Sequence, residues 1–310
     1  MNAITFSSTS KSFGKRTALN SLNLAVPEGS VTAFLGPNGA GKTTAIKTML
    51  GLHAPDGGSV EVLGHDSRRL PAKAFEQIGY VSENQRQPLW MTVQQLLDYC
   101  RPLYPTWDRD LEARLLKDFA LPPEQKLKHL SRGQLMKAAL LSSLAYRPRL
   151  VVLDEPFSGL DPLARDEFIR GLLELTEGEN WTVFISSHDI GEVERLCDRV
   201  AILNEGRLQL HESTATLQQR VRRVTLALPE PITALPPLPK NIILPEPSGR
   251  LLRYTDTAWD DDTSPAAAVA AFPGATLEEA APLTLREIFV AFSRQFRLGH
   301  TLPERKEDHA

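Results

Sequence analysis

Eight residues constrain this chain more than any others: Gly36-Pro37-Asn38-Gly39-Ala40-Gly41-Lys42-Thr43. Glycines at 36, 39 and 41 let the backbone curl so that successive N–H groups converge on one point. The preceding run Val31-Thr32-Ala33-Phe34-Leu35 reads as a buried strand, and Thr44 to Leu50 as the helix that follows. The loop therefore opens a helix N-terminus, where the partial positive charge of unpaired N–H groups favours an anion. The spacing G-x-x-x-x-G-K-[ST] is that of a triphosphate cradle. Lys42 can reach the β- and γ-phosphates, and the Thr43 hydroxyl can ligate Mg²⁺. An ordinary glycine-rich strand-to-helix turn does not account for the full spacing in this strand–helix context. The loop implies a nucleoside triphosphate and leaves open what its energy is used for.

Two further strands carry matching chemistry. Leu150-Val151-Val152-Leu153-Asp154-Glu155 is an apolar run ending in two carboxylates. Four apolar residues in succession suit a parallel strand covered on both faces. Asp154 can hold a hydrated Mg²⁺, an ion that keeps waters and takes few protein carboxylates. Glu155 can orient and deprotonate an attacking water. The plainer reading, an acidic strand-to-loop turn, is poor beside a phosphate loop that needs such a strand. Thr182-Val183-Phe184-Ile185-Ser186-Ser187-His188 is another buried strand. A lone His at a strand end is usually structural, but here His188 is a candidate donor to the γ-phosphate.

Weaker signals surround these. Phe13 precedes the loop by a short distance and could stack on adenine, although a lone aromatic is more often a core residue. Leu130-Ser131-Arg132-Gly133-Gln134 opens a long helix through Leu144, with Ser131 as its N-cap. Ser158-Gly159-Leu160-Asp161 is followed by Pro162 at a first helical turn, where Asp161 would cap. Gly79-Tyr80-Val81-Ser82-Glu83 reads as a strand leaving a polar residue at its end.

The organisation is of one large domain and a smaller one in 310 residues. Short strands from an edge strand at Ile4 and Phe6, through Leu22-Val26 and Ser59-Gly64, suggest an antiparallel β layer. From Thr92 the apolar spacing turns helical: Val93, Leu96 and Leu97, then Leu111, Leu115, Leu116 and Phe119. Gln85 to Met91 looks like an exposed linker, with Trp90 as a docking anchor or a residue packed on its own helices. Glu192 to Cys197 reads as helical. A net charge of −3 argues for no nucleic-acid partner. Cys100 and Cys197 are isolated and read as reduced thiols. No signal peptide and no apolar stretch approaching the ~20 residues of a spanning helix is expected.

In this order and spacing, the phosphate loop, LSRGQ, LVVLDEP, SGLD and SSHD resemble the ATPase subunit of an ABC transporter, over about residues 2–210. The resemblance implies an α/β P-loop NTPase core with an antiparallel β layer and a helical subdomain inserted at about 85–146. It implies ATP and Mg²⁺ as cofactors. Phe13 would stack on adenine. Gly36, Pro37, Asn38, Gly39, Ala40, Gly41, Lys42, Thr43 and Thr44 would bind the phosphates, with Thr43 and Asp154 on Mg²⁺. Glu155 would be the general base, and His188 would contact the γ-phosphate. Ser131, Gly133 and Gln134 would act on ATP bound to a second ATPase subunit, with Asp161 at the same interface. Membrane-spanning permease subunits on a separate chain would complete the assembly, at the cytoplasmic face of the cell membrane.

Two positions depart from the pattern. Arg132 stands where the family usually has Gly, and Glu83 where it commonly has Gln. An ionised Glu accepts hydrogen bonds but cannot donate them, so Glu83 could ligate Mg²⁺ but not donate to the γ-phosphate. Gln85 is an alternative if the loop is shifted by two residues. Glu83 in Gly79-Tyr80-Val81-Ser82-Glu83, with Met91-Thr92-Val93 after it, is similar to a bacterial exporter branch. Residues 211–300 are expected to form a small α+β accessory domain. Its helices are expected at Leu217 to Val221, Ala266 to Phe272 and the apolar face Leu285, Ile288, Phe289, Phe292 and Phe296, and Pro229 to Pro247 is expected to be irregular or extended. A disordered tail is expected over 301–310.

Overall fold

The computed structural model describes residues 1–83, 85–178, 181–232 and 235–298, in two compact units, Met1–His211 and Glu212–Ala310. The expected tail over 301–310 lies outside the described residues. In the first unit, strands β1 (Asn2–Phe13) and β2 (Arg16–Pro27) form a long hairpin. β4 (Gly57–Val62) and β5 (His65–Asp66) complete an antiparallel sheet of order β2-β1-β4-β5. β1 is not the expected edge strand: Ile4 pairs with Val26 on one side and Val62 on the other. Its alternating residues Ile4 and Phe6 are buried, so a strand arriving later from the sequence could cover its second edge.

Six strands make the second sheet: β3 (Val31–Leu35), β6 (Ile78–Ser82), β7 (Leu150–Asp154), β8 (Thr182–Ser187), β9 (Arg199–Asn204) and β10 (Arg207–Ser213). Their order is β10-β9-β3-β8-β7-β6, with β9, β3, β8, β7 and β6 parallel. Every residue of β7 and β8 is buried, as continuous apolar runs require in a sheet covered on both sides. The two layers share one core: Phe6, Leu24, Phe34, Ile46, Met49 and Phe184 belong to a single buried cluster. Register places the functional ends together. Ser82 lies opposite Asp154, Asp154 opposite Ser186, and Leu35 opposite Ser187. These carboxyl ends form the edge at which parallel α/β sheets bind ligands.

Helix α1 (Lys42–Met49) follows β3, and α2 (Ala72–Phe75) precedes β6. The helices α3 (Val93–Cys100), α4 (Arg109–Asp118) and α5 (Arg132–Leu144) occupy the stretch before β7, and α6 (Pro162–Gly178) the stretch after it. Thr92 and Gln95 make a reciprocal capping box on α3, and Asp108 caps α4 through the N–H groups of Asp110 and Leu111. The segment Glu192 to Cys197 is not the expected helix but a run of turns after a short 3₁₀ turn, Ile190–Glu192. Glu192 is drawn inward by Ser187 Oγ at 2.5 Å and Arg165 at 3.2 Å. The Asp198 N–H must then reach Val31 O, at 3.0 Å, to start β9. No described helix is long and apolar enough to cross a membrane.

Among the described residues, the second unit is a four-stranded antiparallel sheet with three helices. The strands are β11 (Arg222–Ala227), β12 (Ile242–Ser248), β13 (Leu251–Asp256) and β14 (Thr276–Pro282), in the order β12-β13-β11-β14. The helices are α7 (Thr214–Arg220), α8 (Ser264–Ala270) and α9 (Leu285–Arg297). Pro245 and Pro247 fall on the edge strand β12, where a missing N–H costs no ladder bond. Its core holds Val224, Leu226, Leu252, Tyr254, Trp259 and Phe272. On α9, Leu285, Ile288 and Phe292 are buried, as their spacing requires.

One buried polar cluster anchors the helical segment of the first unit. The Glu112 carboxylate accepts from Arg101 Nη2 at 2.9 and 3.0 Å and from Trp107 Nε1 at 2.6 Å. Glu112→Ala strands Trp107 Nε1 and leaves Arg101 with Asp98 alone. We expect a loss of roughly 2–3 kcal/mol by chemical denaturation, below the ~3–5 kcal/mol of a fully buried pair because Arg101 keeps contact with water.

Candidate active site

The loop between β3 and α1 has its shape because two of its glycines leave no room for a side chain. A Cβ on Gly36 would lie 2.3 Å from Leu203 O. Gly41 has φ 111°, and a Cβ there would lie 2.3 Å from Ala18 O. Pro37, Asn38 and Gly39 are exposed at the tip, while Ala40 is buried and donates its N–H to Pro37 O at 3.1 Å. Helix α1 starts from Gly41 with no side chain capping it, so its first N–H groups face the loop. Thr43 is exposed and Thr44 half-buried on that first turn.

Lys42 is the hub. Its side chain is only 6% exposed, and Nζ lies 2.7 Å from Gly36 O and 3.0 Å from Glu155 Oε1. The other Glu155 oxygen, Oε2, lies 2.8 Å from His188 Nδ1. Glu155 itself sits at φ 52°, a left-handed conformation that a non-glycine residue seldom adopts. Its N–H reaches back to Ser186 Oγ at 3.0 Å, which holds the carboxylate at the end of β7 despite the strain.

Asp154 is buried beside this group. Oδ1 accepts from Ser186 Oγ at 2.8 Å and Thr43 Oγ1 at 3.2 Å. Burial pushes its carboxyl above the usual range, and these two hydroxyls pull part of the way back. A divalent cation would offset that burial. A carboxylate and a threonine hydroxyl, both hard oxygen donors held together, suit Mg²⁺.

Glu83, at the end of β6, donates its N–H to Asp154 O at 3.0 Å. Its carboxylate turns to Ser158 Oγ at 2.7 Å and Arg132 Nη2 at 2.9 Å. Gln85 is exposed, and its N–H bonds to Ser82 O. A second patch surrounds the starts of α5 and α6. Ser131 and Gln134 form a reciprocal capping box, so Gln134 bonds back to its own helix start. Gly133 faces Ala164, whose Cβ would be 2.9 Å from a Cβ on the glycine, and Asp161 caps α6 through the Ala164 N–H at 2.9 Å.

The comparisons with known proteins bear on this arrangement. A family profile described as "ABC transporter" matches residues 19–158, and one described as "AAA domain, putative AbiEii toxin, Type IV TA system" matches 123–194. The zinc import ATP-binding protein ZnuC of Rickettsia bellii is 36% identical over 65% of this chain and 82% of its own length. The chain belongs to the ABC transporter ATP-binding proteins. The bacitracin transport ATP-binding protein BcrA of Enterococcus faecalis is 30% identical over 69% of this chain and 70% of its own. The chain spans only 58% of the length of two other curated relatives. A solved "ATP binding subunit of ABC transporter" superposes with TM-score 0.63 at 26% identity, over 70% of this chain and 92% of that one.

In this ABC cassette, Phe13 is not a core residue. Its ring is 46% exposed, edge-on to His53 at 5.3 Å, in a turn tied to the loop by Arg16 Nη2 donating to Gly39 O at 3.3 Å. Trp90 is 68% exposed, so the linker ring does not pack on its own helices. Sequence reasoning passed over Ser186, which bonds to both neighbouring acidic residues of the cassette. Its only signal was its place in the Ser186-Ser187-His188 strand end. Ser186→Ala should cost about 1 kcal/mol of stability and raise the Asp154 carboxyl further. Thermal unfolding and the Mg²⁺ dependence of nucleotide binding would check both, the second weakening as Asp154 becomes harder to ionise.

Proposed function

We propose that this chain binds and hydrolyses ATP and that hydrolysis powers an ABC transporter. The observation that carries the reading is the continuous contact Lys42–Glu155–His188 beside the Asp154–Thr43 pair. Lys42, with the loop N–H groups, would neutralise the β- and γ-phosphates. Thr43 and Asp154 would hold Mg²⁺, which supplies charge stabilisation at the phosphates. Glu155 takes the proton of a water whose oxygen attacks the γ-phosphorus. The bond to the bridging oxygen breaks, and ADP and phosphate leave. His188 donates to a γ-phosphate oxygen. A phosphate arriving at Lys42 competes with Glu155 for the ammonium, which turns that carboxylate from an ion-pair partner into a base.

The patch of Ser131, Gly133, Gln134 and Asp161, exposed at Ser131 and Asp161, is the surface for a second ATPase subunit, which completes each ATP site in a head-to-tail pair. Phe13 stacks on adenine. Membrane-spanning subunits on another chain dock on the linker around Trp90, which places the protein at the inner face of the membrane. Export is the direction favoured by Gly79-Tyr80-Val81-Ser82-Glu83 followed by Met91-Thr92-Val93. Residues 212–298 are an accessory domain of this subunit.

Glu155→Gln should retain ATP binding, lower phosphate release by at least about 100-fold, and accumulate a dimer with ATP in sedimentation. Unaltered steady-state release would refute the base assignment. Co-purification from detergent-solubilised membranes should recover a membrane-spanning chain, and recovery of only soluble proteins would refute the transport role.

A further inference from the structure

Glu83 and Arg132 are 49 residues apart in sequence and bonded in the fold. Among the described residues, the contacts to the Glu83 carboxylate fall on one oxygen: Oε1 accepts from Arg132 Nη2 at 2.9 Å and from Ser158 Oγ at 2.7 Å. The guanidinium lies against Gly159, since a Cβ on that glycine would be 2.2 Å from Nη1 and 2.5 Å from Cζ. Gly159 has φ 68°, so the loop after β7 presents bare backbone to the guanidinium. Arg132 thus joins the first turn of α5, the loop after β7 and the end of β6. The two positions that depart from the sequence pattern are partners.

We propose that Arg132 is a positioning residue: with Ser158 it grips one carboxylate oxygen of Glu83 and leaves the other for the metal–phosphate end of the site. This rests on the reading of Glu83 as a site residue, supported by its backbone bond to Asp154. The side chains of Arg132 and Glu83 are 51% and 31% exposed, and an exposed ion pair adds little stability of its own. Its effect is orientational. A long carboxylate side chain already held in one rotamer loses less freedom when it meets a ligand. The planar guanidinium can lie on Gly159 and bond to Glu83 at once, which the ammonium of a lysine cannot reproduce.

The test is equilibrium binding of a fluorescent ATP analogue to the full chain, with and without Mg²⁺. The readout is the ratio of the two affinities. Arg132→Ala should reduce that ratio about three- to tenfold, and Arg132→Lys should recover part of it. Glu83→Gln should reduce it similarly, and adding Arg132→Ala to Glu83→Gln should change it no further. A purely structural role would weaken binding alike with and without Mg²⁺ and leave the ratio unmoved. An unchanged ratio in Arg132→Ala, or an equal loss in the Glu83→Gln background, overturns the proposal. An unchanged ratio in Glu83→Gln overturns the reading of Glu83 and the proposal with it. No analogue binding to the unsubstituted chain overturns the ATP site itself.

Discussion

The pairing of Lys42 with Glu155 is the interaction on which the site depends. Both side chains are largely out of water, at 6% and 13% exposure, and lie 3.0 Å apart. Removing one partner would leave the other an uncompensated charge in a low-dielectric pocket. The pair also explains the backbone around it. Gly41 must take a left-handed turn for Lys42 to begin α1 pointing back across Gly36, and Glu155 must leave β7 in a strained conformation to meet it. The parallel sheet makes that meeting possible. β3 and β7 flank β8, so the loop, the carboxylates and the serine-rich end of β8 emerge along one edge.

A second layer of contacts ties this edge to the helical segment. Glu83 reaches Arg132 on α5 and Ser158 in the loop after β7. Lys137 on α5 reaches Glu167 on α6 at 2.6 Å. Arg165, also on α6, reaches Glu192, which in turn accepts from Ser187 beside His188. These are three separate sets of contacts, which tie α5 to the end of β6, α5 to α6, and α6 to the end of β8. Movement of the helical segment would therefore be felt at Glu83 and at the end of β8.

The fold was legible where chemistry and periodicity coincide. The phosphate loop, β7 and β8 could be read because a buried parallel strand demands an unbroken apolar run and the polar residues follow at its end. Three features could not. The inner position of β1 depends on β4, which joins it from some fifty residues away, and nothing within β1 announces a second neighbour. The turns at Glu192 to Cys197 have helical spacing, but tertiary bonds from Ser187 and Arg165 to Glu192 and from Asp198 to β3 override it. β14 holds exposed Glu278 and Glu279 and little apolar alternation, so only its pairing with β11 defines it. Lys42, Asp154, Glu155 and His188 stand out in the sequence by motif, whereas Ser186 and the bond between Glu83 and Arg132 required coordinates.

The central claim is that water attacks the γ-phosphorus of ATP at the Lys42–Glu155 edge. Turnover of Mg·ATP in ¹⁸O-labelled water tests it directly, with mass analysis of both products. The account predicts one solvent oxygen in each released phosphate, none in ADP, and loss of the reaction in Lys42→Ala. Label in ADP, or the same labelled phosphate from Lys42→Ala, would contradict it.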